Sequence, residues 1–214
     1  MAIRAIIVDI GGVILLREET PAQRRWEERF GFARGSFARG LFRPDLSAQA
    51  TIGAVPTAHV WGEMAARLAL TTADVRELRR DFFAGERLNE EFASHLQHLR
   101  PAYHTAALSN AWSGTREAMT LHYGMDRLVD MMLFSDEVGI AKPDPRIYHL
   151  AAERLAVRPE DSLVVDDVLP NVEAARAVGM TAVHFHDTAQ AIVAIEQCLR
   201  GQETTNERGS DASG

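Results

Sequence analysis

The chain has 214 residues, 46% apolar and 25% charged, enough to bury a substantial core either as one large domain or as a core domain with a smaller unit inserted. Its formal net charge of −7 argues against a nucleic-acid footprint or an anionic membrane surface, since both reward clustered Lys and Arg. Cys198 is the single cysteine, which excludes an internal disulfide, and no apolar run approaches the roughly 20 residues of a transmembrane helix, so a cytoplasmic protein is expected. Met1 to Leu16 is apolar enough to suggest a secretory leader, but Asp9 and the pair Gly11-Gly12 interrupt it and no A-x-A-like cleavage site follows.

The first strand is expected in Ile6-Ile7-Val8, a β-favouring run buried on both faces that ends at Asp9. Residues 17–85 change character and read as helices with loops. Pro21 opens a helix to Phe30 with Gly31 beyond it, Thr57 opens one through Trp61, Met64 and Leu68, and Thr71 or Thr72 caps a third ending at Phe83. Between Phe32 and Pro56 the breakers Gly35, Gly40, Pro44 and Gly53 leave no element assigned. Phe92–Leu99 reads as a short helix, and strand-helix alternation then resumes. Strands are expected at Tyr103–Leu108, around Met131–Phe134, at Leu163–Val165 and at Thr181–Phe185, with helices over Thr115–Tyr123, from Pro145 to Leu155, from Pro170 to Gly179 and over Ala189–Leu199. The polar residues 201–214 are expected to be a disordered tail.

This order predicts an α/β fold, a three-layer Rossmann-like parallel-sheet core from residues 1–16 and 86–200 with a small α-helical cap, residues 17–85, inserted after the first strand. An insertion at that point hangs over the carboxyl edge of the sheet, where ligands bind in open α/β folds. Three strand ends deliver Asp9, Ser109-Asn110 and Asp166-Asp167 to that edge, and Lys142 sits in Ala141-Lys142-Pro143-Asp144-Pro145 just before a helix. Carboxylates crowded together repel unless a cation neutralises them, and an all-oxygen set suits Mg²⁺. His184 and His186 alternate beside a strand but have no evident third nitrogen or sulfur partner for a metal.

In this order the four features resemble the haloacid dehalogenase superfamily, specifically its phosphatase branch with a helical cap after the first strand. Val8-Asp9-Ile10-Gly11-Gly12 is similar to the nucleophile motif, Leu108-Ser109-Asn110 to the second, Lys142-Pro143-Asp144-Pro145 to the third and Val165-Asp166-Asp167 to the fourth. The resemblance implies a Mg²⁺-dependent phosphatase of a small phosphorylated metabolite, a sugar phosphate among the candidates. Asp9 would attack phosphorus to form an aspartyl-phosphate that water then hydrolyses. It also implies catalytic roles for Asp9 and Lys142 and phosphate binding by Ser109, Asn110 and Lys142. Mg²⁺ would be held by Asp9, the Gly11 carbonyl, Asp167, and Asp166 through a water. Three carboxylates against Mg²⁺ and Lys142 leave the empty site near neutral, whereas without the ion an incoming phosphate would be repelled.

One position departs from the family pattern. Most phosphatases of this family carry a second aspartate two residues after the nucleophile as general acid and base, and here that residue is Gly11. Positioned acid-base catalysis is worth roughly 10²–10⁴-fold. Branches with Asp-x-Gly at this place nonetheless include sugar-phosphate phosphatases, and a leaving group of low pKa needs less protonation. Two alternatives stay open: a dehalogenase-type hydrolase, which the acidic pair Asp166-Asp167 argues against, and a phosphate-binding regulatory protein without turnover. Glu18 and Glu19 are the nearby carboxyls that could substitute for the missing acid.

Overall fold

The computed structural model describes the backbone of residues 2–210 and the side chains of residues 2–201. In chain order, β1 (Ala5–Val8) and β2 (Leu15–Arg17) precede a helical segment of α1 (Pro21–Phe30), α2 (Phe37–Leu41), α3 (Pro44–Thr51), α4 (Thr57–Arg67) and α5 (Thr72–Phe83), followed by β3 (Glu86–Leu88). The chain continues through α6 (Glu90–Leu99), β4 (His104–Ser109), α7 (Thr115–Tyr123), the single turn α8 (Met125–Leu128), β5 (Met131–Phe134), the single turn α9 (Ser135–Val138) and α10 (Pro145–Arg154). It ends with β6 (Ser162–Asp166), α11 (Leu169–Ala177), β7 (Thr181–His184) and α12 (Thr188–Ser210).

Five strands form one parallel sheet in the order β5-β4-β1-β6-β7, so the first strand is central and its two neighbours come from later in the chain. Every residue of β1 is buried, and its alternation feeds two separate apolar layers. Ile6 and Val8 pack with Phe92 and Leu96 of α6 and Ile195 of α12, while Ala5 and Ile7 pack on the other face with Ile147 and Ala151 of α10 and Ala175 of α11. The sheet is therefore covered on both sides, the three-layer Rossmann-like arrangement expected from the strand-helix alternation.

A third apolar cluster is built by α1–α5, with Trp26, Leu41, Val60, Trp61 and Leu78 buried in it. The antiparallel pair β2–β3, registered Leu15 to Leu88 and Arg17 to Glu86, joins this helical segment to the sheet at both of its ends. α1 begins where expected because Thr20 and Gln23 form a reciprocal capping box and Pro21 stands at the first turn; Thr71 and Asp74 do the same for α5.

The segment 32–56, left without elements above, holds α2 and α3. Pro44 stands in the first turn of α3, where a missing N–H costs nothing, and burial of Leu41, Leu46 and Ala50 stabilises both short helices. The tail expected at 201–214 overlaps α12, which runs to Ser210, and residues 211–214 lie outside the described residues. Among the described residues no helix is long and apolar enough to cross a membrane.

Candidate active site

β1 lies between β4 and β6 with Val8 opposite Ala107 on one side and Val165 on the other. One residue further on, Asp9 donates its main-chain N–H to the Val165 carbonyl at 2.9 Å, so its side chain leaves the sheet beside the ends of both neighbours. The direction of strand order reverses at β1, and the crevice created at such a reversal is where open α/β sheets bind ligands. Asp9, Ser109 and Asp166 emerge there together, all buried.

Lys142 ties the strand ends into one unit. Its ammonium donates to Asp9 Oδ1 at 2.8 Å, to Asp166 Oδ2 at 2.6 Å and to the Leu108 carbonyl at 3.0 Å, which uses all three of its protons. Asn110 holds the lysine's backbone: its amide nitrogen donates to the Lys142 carbonyl at 2.9 Å and its oxygen accepts from the Lys142 N–H at 2.8 Å. Asp166 is satisfied on both oxygens, accepting from Val168 N–H at 2.9 Å and from Asn171 Nδ2 at 3.0 Å in addition to the lysine. Burial, the largest influence on Asp9, lifts its carboxyl to about 6, with Lys142 opposing and Asp166 adding to the rise. Burial alone would lower Lys142, but the adjacent Asp9 and Asp166 outweigh it and raise the ammonium's pKa above the ordinary value.

Asp167 completes the acidic cluster. One carboxylate oxygen from each of Asp9, Asp166 and Asp167 lies within 4.8 Å of the other two. Asp167 Oδ1 is buried without any hydrogen-bond partner, and burial followed by the Asp166 charge raises its pKa. An orphaned buried carboxylate oxygen on a residue clustered with two other carboxylates is what a divalent cation site provides, and oxygen donors suit a hard ion. The carboxylate also lies directly against Gly12: a Cβ there would stand 2.2 Å from Asp167 Oδ2, and the residue has φ +91°, so only glycine allows this approach. The residues present therefore fit a bound Mg²⁺.

The structure brings Asp9, Lys142, Asp166 and Asp167 together as expected. Ser109 is at the sheet edge, and its hydroxyl reaches only the Asn110 carbonyl at a long 3.5 Å, so it is uncommitted. Asn110, expected to touch substrate, gives one amide N–H and one oxygen lone pair to the Lys142 main chain, and its second N–H and second lone pair are not used in those bonds. Asp166 belongs to the cluster, yet its direct contacts are with Lys142, Val168 and Asn171. Glu18 pairs with Arg87 at 2.7 Å on the surface and Glu19 with Arg24 at 3.6 Å. Nothing stands within 4 Å of where a Cβ on Gly11 would be.

Sequence reasoning missed Asn171 and Tyr148. Asn171 is a buried polar residue on the inner face of α11, and Tyr148 Oη donates to its carbonyl at 2.9 Å. The available signal was a polar side chain at the start of a helix just after two aspartates. The sheet meets the helical segment through Thr51: Trp112 Nε1 donates to Thr51 Oγ1 at 3.2 Å and Ser135 Oγ to the Thr51 carbonyl at 2.6 Å. Trp112 thus packs edge-on against Phe42, as part of the helical segment's apolar cluster.

Fold, strand-end chemistry and sequence comparison agree on the class. The family model for haloacid dehalogenase-like hydrolases matches residues 3–179, and the chain belongs to that family. It is 28% identical over 191 residues to the fructose-1-phosphate phosphatase YqaB of Escherichia coli, covering 83% of this chain and 94% of that protein. It is 25% identical to bifunctional epoxide hydrolase 2 of Sus scrofa over 92% of its own length, but spans only 39% of that relative and 19% of the mouse acyl-CoA dehydrogenase family member 10 that it also matches. Among solved structures, a HAD-like family hydrolase from Porphyromonas gingivalis superposes with a TM-score of 0.75 at 23% identity, over 94% of this chain and 99% of that one. A HAD family enzyme from Bacteroides thetaiotaomicron in complex with magnesium and inorganic phosphate superposes with a TM-score of 0.74 at 16% identity, over 86% and 95%.

Proposed function

We propose that this hydrolase is a Mg²⁺-dependent phosphatase of a small phosphorylated metabolite that works through an aspartyl-phosphate on Asp9. The observation that carries the reading is the orphaned Asp167 Oδ1 beside an Asp9 carboxylate already held by Lys142. Asp9, Asp167 and the Gly11 carbonyl would hold the ion, with Asp166 anchoring Lys142 next to them. When bound, Mg²⁺ would neutralise the cluster so that a phosphate dianion can enter.

In this reading the Asp9 oxygen turned away from Lys142 attacks phosphorus, the bond from phosphorus to the leaving oxygen breaks, and water later attacks the same phosphorus to free Asp9. Lys142 and the Ser109 hydroxyl donate to the phosphoryl oxygens as charge builds on them. Burial of Asp9, Ser109 and Lys142 limits competing water and strengthens these contacts. The named activity of YqaB supports a phosphate ester as substrate class.

Gly11 has no carboxyl to protonate the leaving oxygen, so leaving groups of low pKa suit the site: anomeric sugar phosphates and acyl phosphates. Glucose 1-phosphate should turn over faster than glucose 6-phosphate, and equal or reversed rates would count against that preference. The reading itself is tested with 4-nitrophenyl phosphate, with and without EDTA, on the wild type and Asp9→Asn. Phosphate release abolished by both changes is expected. Metal-independent halide release from a 2-haloacid would support the dehalogenase alternative, and phosphate affinity without turnover would support a regulatory protein.

A further inference from the structure

β6 and β7 pair in parallel up to Asp166 opposite His184, and the last ladder bond runs from Phe185 N–H to the Asp166 carbonyl at 2.9 Å. Asp167 is the next residue, and its carbonyl lies beyond the ladder's reach. The His184 side chain supplies the missing partner, with Nε2 3.0 Å from the Asp167 carbonyl oxygen. A carbonyl oxygen only accepts, so the ring must donate from Nε2. The neighbouring His186 ring packs edge-on against it with centroids 4.2 Å apart, which fixes the plane of the donor.

The peptide held in this way has little freedom to give. Its carboxylate is wedged against Gly12 on one side and brings an oxygen within 4.8 Å of carboxylate oxygens of Asp9 and Asp166 on the other. A small shift of the Asp167 backbone would open the cluster or press the carboxylate into Gly12. We propose that His184 is a positioning residue for the metal site: its Nε2–H donation continues the sheet's hydrogen bonding by one residue and so aims the Asp167 carboxylate. This rests on the reading of Asp9 and Asp167 as metal ligands. Partners that orient a ligand typically govern metal affinity by roughly 10–100-fold when removed. The role requires one fixed proton and no change of protonation.

The test measures Mg²⁺ binding directly on metal-stripped full-length protein, by isothermal titration and by the Mg²⁺-dependent rise in melting temperature. His184→Ala should weaken Mg²⁺ binding about tenfold or more, while the metal-free melting temperature changes little. His184→Gln, whose Nε2 can donate at a similar reach, should recover most of the affinity, and His184→Phe, which keeps the ring volume without the donor, should not. Affinity within twofold of wild type in folded His184→Ala or His184→Phe would overturn the role. So would a metal-free melting temperature that falls while Mg²⁺ affinity holds, because that is a packing contribution only. Wild-type protein that binds no Mg²⁺ would instead overturn the metal site itself, and this role with it.

Discussion

The Lys142 ammonium stands 2.6 Å from Asp166, closer than its 2.8 Å to Asp9, so the lysine is fixed in the site by a carboxylate other than the proposed nucleophile. Asp166 receives only donors: Lys142, the Val168 N–H and Asn171 Nδ2. Such a carboxylate leaves Asp9 able to lose its share of the lysine to a phosphoryl group without stranding a buried cation.

Asp166→Asn should therefore be costly although it conserves shape. An amide presents an N–H₂ to one of those donors and leaves Lys142 with a single carboxylate in a buried setting. Breaking a buried pair in this way costs about 3–5 kcal/mol. Chemical denaturation should register a loss of that order, together with a fall in kcat.

Asp9 gives the pH dependence its sign. Its carboxyl is raised from 3.8 to about 6 in the metal-free protein, so the folded chain binds this proton more tightly than the unfolded one. Its contribution to metal-free stability is therefore full below about pH 3.8 and is lost as pH rises through about 6. Mg²⁺ binds only the ionised form, so the rise in melting temperature on adding Mg²⁺ should be small at pH 5 and large at pH 7.5. The acid limb of kcat/KM should also move to lower pH as Mg²⁺ is raised. Melting curves at the two pH values and rate profiles at two Mg²⁺ concentrations check both expectations.

Gly11 is open space into which a side chain can be built. Gly11→Asp should speed hydrolysis of phosphate esters with poor leaving groups by tenfold or more, within the roughly 10²–10⁴ range of positioned acid catalysis. It should change 4-nitrophenyl phosphate turnover little, because that leaving group needs no proton. Comparing the two substrates on the same variant checks this, and an unchanged ratio in folded protein would mean that another group already supplies the acid.

Much of this was legible because the site is delivered by strand ends. Four short apolar runs stopping at Asp9, Ser109, Phe134 and Asp166 define a parallel sheet, and parallel strands must end on the same edge. Helices with strong caps, such as α1 behind Thr20 and α5 behind Thr71, were equally readable. What was hidden depends on contacts between distant segments. α2 and α3 are too short to carry a period and owe their stability to packing around Leu41 and Leu46. β2 and β3 pair across the whole inserted segment. The two bonds from Asn110 to the Lys142 main chain, 32 residues on, were equally invisible in the sequence.

The most direct test of the account is acid-quench trapping of the covalent intermediate. Wild-type protein with Mg²⁺ and a ³²P-labelled phosphate ester, stopped within one turnover, should carry label on the peptide containing Asp9, stable in acid and released by base or hydroxylamine. Asp9→Asn should carry none. Phosphate release from the wild type with no label on Asp9, or equal labelling in Asp9→Asn, would contradict nucleophilic attack by this residue.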